Sequence, residues 1–148
     1  MGKVNAELGR RVYLDANIVI YAVEGFAAFA DRIQTLLKAM DTEEIIAVTS
    51  ELTLAETLVK PLKDQNSAIQ QAYRAFLTPT AALEIVPINR AILEDAAQWR
   101  ATTKLKLPDA IHLATAFHKQ CDSFFSNDDV FRTLNLAQVK MLSDVSLT

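Results

Sequence analysis

The stretch Val12-Tyr-Leu-Asp-Ala-Asn-Ile-Val-Ile-Tyr21 decides how the chain reads. Val12-Tyr-Leu14 is apolar and short, the mark of a buried strand rather than a helix. Asp15 and Asn17 interrupt the run with side chains that accept hydrogen bonds from free backbone N–H groups, and Ile18 to Ala22 resumes as a short helix. A strand that passes into a helix through an acidic junction is the opening unit of an alternating α/β chain.

The same alternation continues outward from it. Ala27 to Met40 carries Phe29, Ile33, Leu36, Leu37 and Met40 at helical spacing. Ile45 to Thr49 reads as the second strand. Ser50 is a good N-cap and Glu51 a favourable first-turn charge, so a helix is expected to about Lys60, where Pro61 discourages continuation. Helices over 66–77, over 90–103 and from Pro108 to about Gln120 then alternate with strands at Leu83–Val86, Ser123–Ser126 and Val139–Leu142. The pattern predicts one α/β domain over residues 1–148, a parallel five-stranded sheet with helices on both faces, and residues 1–10 as an N-terminal extension. In such sheets ligands bind beyond the carboxyl ends of the strands. Asp15 follows the first strand and Asn127-Asp128 the fourth.

A length of 148 residues suits one domain and not two. Hydrophobic residues make up 51% and charged ones 22%, the balance of an ordinary globular protein. Gly2, Gly9 and Gly25 are the only glycines, which argues against a Gly-rich phosphate loop. Cys121 is the single cysteine, so neither a disulfide framework nor a thiolate zinc site is expected. No apolar run has the length of a membrane span, and Met1-Gly-Lys-Val-Asn-Ala-Glu7 does not lead into a signal-peptide core, so the expected setting is cytoplasmic. With 15 basic and 18 acidic residues the net charge is −3, the wrong sign for gripping nucleic acid by overall electrostatics. An anionic substrate would have to be held locally, with a cation masking the chain's own carboxylates.

Each acidic candidate has a structural reading beside a functional one. Asp15 is a natural helix cap, although Asn17 could cap in its place and leave Asp15 pointing outward. If Leu52, Ala55, Val59 and Leu62 form the buried stripe of their helix, Glu56 lies about 40° from Leu52, on the stripe's margin. A carboxylate there needs a partner, either a lysine or arginine or a metal. Asp109, just after Pro108, suits the helix dipole. Asp128 and Asp129, in Ser126-Asn-Asp-Asp129, suit a turn. His112 and His118 lack the spacing of a histidine metal site and read as filler. Together, two acids end strands on one sheet edge and two sit on helices able to approach it. Two such charges 4 Å apart repel by about 4 kcal/mol at an effective dielectric of 20. All-oxygen ligation suits Mg²⁺ or Mn²⁺, ions that hold phosphates and activate water.

Four segments carry a family resemblance: Val12 to Tyr21 with Asp15, Thr49-Ser-Glu-Leu-Thr-Leu-Ala-Glu56, Leu107-Pro-Asp-Ala-Ile-His-Leu-Ala-Thr-Ala116 with Asp109, and Phe125-Ser-Asn-Asp-Asp-Val-Phe131 with Asp128. In this order and spacing the chain resembles the PIN-domain family, and within it the VapC-type toxins of type II toxin–antitoxin systems. The resemblance implies a Mg²⁺- or Mn²⁺-dependent endoribonuclease, a homodimer and a small antitoxin partner. It implies Asp15 and Asp109 as principal ligands, with Glu56 and Asp128 completing the acidic pocket. Asn17, Ser126 and Asn127 would support a carboxylate or a water. Arg100, Lys104 and Lys106, in the densest basic stretch, are either a solvated helix end or contacts for RNA phosphates. A housekeeping RNA-processing nuclease, or a binding module that keeps the fold without chemistry, are the alternatives. Most apolar residues of 27–40 and around Ile69, Tyr73 and Phe76 should face the core, with some left for a partner.

Overall fold

The computed structural model describes residues 3–147. Five strands form one sheet: β1 (Arg11–Leu14), β2 (Ile46–Ser50), β3 (Leu83–Val86), β4 (Ser123–Ser126) and β5 (Val139–Met141). Their order is β3-β2-β1-β4-β5 and every neighbouring pair is parallel. The chain builds outward from β1 to β2 and β3, then returns to the other side of β1 for β4 and β5. The order therefore reverses between β1 and β4, which opens a crevice at their carboxyl ends.

Period-two alternation sends side chains of each strand into two separate cores. Val12, Leu14, Ala47 and Phe125 enter one, packed by α1 (Lys3–Leu8), α2 (Ala16–Glu24), α3 (Ala30–Asp41) and α5 (Ser67–Phe76). Tyr13, Val48, Phe124 and Met141 enter the other, covered by α6 (Arg90–Thr102) and α7 (Leu107–His118). Because both faces are buried, the central strands carry apolar residues at successive positions, Val12-Tyr-Leu14, Ile46-Ala-Val48 and Phe124-Phe125. No described helix is long and apolar enough to cross a membrane.

Three local expectations need correction, and the extension gains a structure. The extension before β1 contains a helix, α1, whose Val4 and Leu8 are buried in the first core; Met1 and Gly2 lie outside the described residues. The segment from Ala27 begins as a 3₁₀ turn, Ala27–Phe29, and becomes α-helical only at Ala30. Pro61 does not stop α4 (Glu51–Lys63): it lies in the last turns of the helix, where a missing N–H loosens few bonds, and its ring is buried.

The buried stripe of α4 is the third correction. Thr53, Thr57 and Pro61 face inward, while Val59 and Leu62 are each 51% exposed. Threonine can take this place because its hydroxyl is satisfied locally. Thr57 Oγ1 donates to the Thr53 carbonyl at 2.8 Å, and Thr53 Oγ1 shares a 2.7 Å bond with Thr49 Oγ1, which leaves the methyl groups to pack. Tyr73, Ile33, Leu36 and Met40 are buried, as expected of core-facing residues.

The join between α1 and β1 depends on Gly9. Its φ is +80°, and a Cβ there would stand 2.4 Å from Asp122 Cβ, whose carboxylate accepts the Arg10 and Arg11 N–H groups at 2.9 Å. Gly9→Ala therefore combines left-handed strain with a steric overlap. It should destabilise the protein by about 1–3 kcal/mol, lowering Tm by roughly 2–4 °C for each kcal/mol. An unchanged melting curve would show that this junction yields freely.

Candidate active site

Asp15 leaves β1 with φ and ψ in the extended region and caps α2 itself, accepting the Ala16 N–H on Oδ1 at 2.9 Å. Asn17 does not take over the cap. Its Nδ2 donates to Asp15 Oδ2 and to Ser126 Oγ, each at 3.2 Å, and its Oδ1 accepts the Asn127 N–H at 3.0 Å. Ser126 Oγ donates to Asp15 Oδ2 at 2.7 Å and accepts the Asp128 N–H at 3.0 Å. Capping and site geometry thus use different oxygens of one carboxylate. The ends of β1 and β4 are tied together through it.

The other acids approach from separate elements. Asp109 sits in the first turn of α7, half-buried, two residues after Leu107 begins that helix. Asp128 caps the 3₁₀ helix Asp129–Leu134, accepting the Val130 N–H at 3.1 Å, and is exposed. Glu56 lies one turn beyond Leu52 on α4, and Leu52 packs on the α6–α7 side, so the same helix edge turns Glu56 toward α7.

The partner of Glu56 is neither lysine nor arginine: His112 Nε2 meets Glu56 Oε1 at 2.5 Å. The other ring nitrogen, Nδ1, lies 2.6 Å from the phenol of Tyr13, and Nε2 is 3.9 Å from Asp15 Oδ1. His112 is 1% exposed. Reading it as filler was therefore incomplete. Spacing carried part of the signal, since positions 109 and 112 share a helix face, but it did not identify the partner of Glu56.

Electrostatics link the four acids. Burial pushes the Asp109 carboxyl up to about 6, and the charges of Asp15, Asp128 and Glu56 add to the shift against the opposing effect of His112. Asp15 is also raised, chiefly by burial, although His112 and the bonds from Ser126 and Ala16 work to keep it ionised. For His112, burial favours the neutral ring, but the Glu56 bond and the charges of Asp15, Glu56 and Asp109 outweigh it and raise the pKa. The phenol of Tyr13 is held far above its ordinary range by burial and by the Asp15 charge, so it remains a hydrogen-bond donor.

Among the described residues, no three His, Cys, Asp or Glu side chains already close into a cage for a cation. A hard divalent ion such as Mg²⁺ does not need one, since it keeps several waters and takes one or two carboxylates. An open group of mutually repelling oxygens, one with its pKa raised to about 6, fits that chemistry.

The basic stretch divides into two kinds of residue. The Arg100 guanidinium donates to the Leu105 carbonyl at 2.8 Å, shaping the turn between α6 and α7. Lys104 and Lys106 stand exposed on that turn, directly before Asp109.

The family model of the PIN domain matches residues 12–135. The chain belongs to the PIN-domain family. Among solved structures, a toxin–antitoxin complex from Klebsiella pneumoniae is 24% identical, covering 90% of this chain and 99% of its own, with a TM-score of 0.67. VapBC2 from Rickettsia felis, bound to a DNA fragment from its promoter, is 17% identical over 88% of this chain and 98% of its own, with a TM-score of 0.71. VapC20 from Mycobacterium tuberculosis, a sarcin-ricin-loop-cleaving toxin, is 16% identical over 87% and 98%, with a TM-score of 0.66. At these identities the likeness establishes a shared PIN fold. A comparison with the curated proteins finds no match.

The raised pKa of Asp109 has a consequence for stability. Protonated Asp109 favours the folded state at low pH, and this contribution is lost as pH rises from the ordinary value of 3.8 through about 6. In metal-free protein, Asp109→Asn should therefore raise Tm at pH 7.5 by about 2–4 °C, on the order of 1 kcal/mol once solvent screening is allowed for, and change it little at pH 4. Melts in excess EDTA at the two pH values check this. An equal shift at both would mean that the PIN site's charge is not its cause.

Proposed function

We propose that the protein is a metal-dependent endoribonuclease that serves as the toxin of a toxin–antitoxin pair. The observation that carries the reading is electrostatic: Asp109, raised to about 6 first by burial, also feels the charges of Asp15, Asp128 and Glu56 from three other elements. A site with only a structural task gains nothing from gathering four acids. A site that receives a cation and then a phosphodiester needs them. The toxin reading draws on the PIN family and on neighbours described as toxin–antitoxin complexes.

Asp15 and Asp109 are the residues that would hold Mg²⁺ or Mn²⁺, with Glu56 and Asp128 orienting water or a second ion. When bound, such a cation neutralises phosphate charge and lowers the pKa of water in its shell. The chain's own residues set up that chemistry. Ser126 and Asn17 hold Asp15 in place, and Asn127 donates its N–H to Asn17, so a three-residue clamp keeps one carboxylate aimed past the sheet edge. Lys104 and Lys106 would contact RNA phosphates beside the cut, which positions the strand without reading its sequence. The protein would act in the cytoplasm as a homodimer, bound and silenced by its antitoxin.

Incubating the protein with RNA tests the chemistry. Cleavage should require Mg²⁺ or Mn²⁺, stop in excess EDTA and fall at least a hundredfold in Asp15→Asn, which stays folded. Undiminished cutting in EDTA would overturn the metal-dependent reading, and no cutting under any condition would favour a binding module.

Substrate grip is tested separately in an Asp15→Asn background. Lys104→Glu with Lys106→Glu should weaken RNA binding and reduce the salt slope by about 2, one for each lost phosphate contact. The same slope in both proteins would place the RNA path elsewhere.

A further inference from the structure

Glu56 has the longest side chain of the four acids and about a third of it is exposed, at 32%. On an open helix edge such a side chain samples several rotamers, and ordering it costs entropy. Its anchor is His112 Nε2 at 2.5 Å. The imidazole is itself clamped from behind. Nδ1 is bonded to Tyr13 at 2.6 Å, and the Tyr13 ring lies edge-on to the imidazole at 5.8 Å and stacks on Phe124 at 5.2 Å. Tyr13 is fully buried. The chain of contacts runs from the sheet's core, through β1 and α7, to a carboxylate on α4.

The direction of the bonds follows from the chemistry of the groups. Glu56 offers a carboxylate, so Nε2 carries a proton and donates it. At Nδ1 the Tyr13 phenol donates to the neutral ring and accepts from the protonated one, which the nearby acids favour. In either state the phenol fixes the ring plane. The same Nε2 edge stands 3.9 Å from Asp15 Oδ1, between carboxylates supplied by two different elements.

We propose that His112 is a positioning residue of the nuclease site, holding the Glu56 carboxylate beside Asp15, with Tyr13 fixing the imidazole that does so. This rests on the nuclease reading given above. A buried histidine satisfied by the nearest acid would show the same distances but would not act through Glu56. A double-mutant cycle separates the two, because residues acting as one unit give non-additive losses.

Full-length protein and its Glu56→Gln, His112→Leu, His112→Gln, Tyr13→Phe and Glu56→Gln/His112→Leu variants are compared for RNA cleavage and for Mn²⁺ affinity by calorimetry, with circular dichroism to confirm folding. His112→Leu should lose about 10–100-fold in cleavage or Mn²⁺ affinity, the scale of lost support behind a metal ligand. His112→Gln, whose amide can still donate to Glu56, should recover most of it even if the leucine variant folds poorly, and Tyr13→Phe should fall between. In the Glu56→Gln background His112→Leu should cost little more. Additive losses, or wild-type Mn²⁺ affinity and cleavage in folded His112→Leu and His112→Gln, would overturn this inference alone. An unaltered protein that neither binds Mn²⁺ nor cleaves RNA would overturn the nuclease reading and this inference with it.

Discussion

The structure is organised around the cost of a carboxylate that is almost out of water. Asp15 is 4% exposed, at the point where the central strand becomes a helix. An isolated buried charge would be prohibitive, so its surroundings must supply donors or a counter-charge. Ala16, Asn17 and Ser126 supply the donors, and His112 approaches from the other side of the sheet edge. Even so, burial prevails and the pKa stays raised. The residues around Asp15 are therefore constrained by polarity as much as by shape.

The sheet order makes that arrangement possible. With β1 central and β4 beside it, the carboxyl ends of two strands far apart in sequence lie next to each other, and Ser126 reaches Asp15 across 111 positions. The turn before α7 brings Asp109 to the same edge, and α4 brings Glu56 from the other flank. Five parallel strands need helical crossovers, and each crossover start is a place to present a side chain above the crevice. The two cores on either side give these presenting helices rigid seats.

The acids are gathered but not closed, and the physics explains the difference. Without a cation, carboxylates repel and settle at separations that water can screen. Asp109 absorbs part of the strain by keeping its proton to about pH 6, and Glu56 by pairing with His112. Asp128, exposed and capping a 3₁₀ helix, remains in solvent. The pocket is a compromise between holding charge and tolerating it.

How much of this was legible in the chain depended on whether the deciding interaction was local. Strand β1, the helix cap at Ser50, the strand Leu83–Val86 and the acidic positions all follow from periodicity and side-chain chemistry within a few residues, and so does the expectation of parallel strands with acids at their carboxyl ends. The four acids were also readable as a set, because their residue types and order resemble those of the PIN family. What local pattern misplaced were matters of long-range packing. Val59 and Leu62 were expected in the stripe that Thr53 and Thr57 occupy, because hydropathy does not register that a hydroxyl bonded to its own helix, as in Thr57, or to the adjoining strand, as in Thr53, can be buried cheaply. Asn17 could have capped α2, and only the nearness of Ser126 and Asn127 assigned it to the clamp. Pairing Glu56 with His112, and His112 with Tyr13, requires α4, α7 and β1 to meet at one point, which no spacing in the chain encodes. Sequence by itself determined which groups could carry charge and chemistry, through composition and period. Tertiary structure alone decided which of them face one another, because a hydrogen bond of 2.5 Å depends on the packing of three elements and not on the residues of any one.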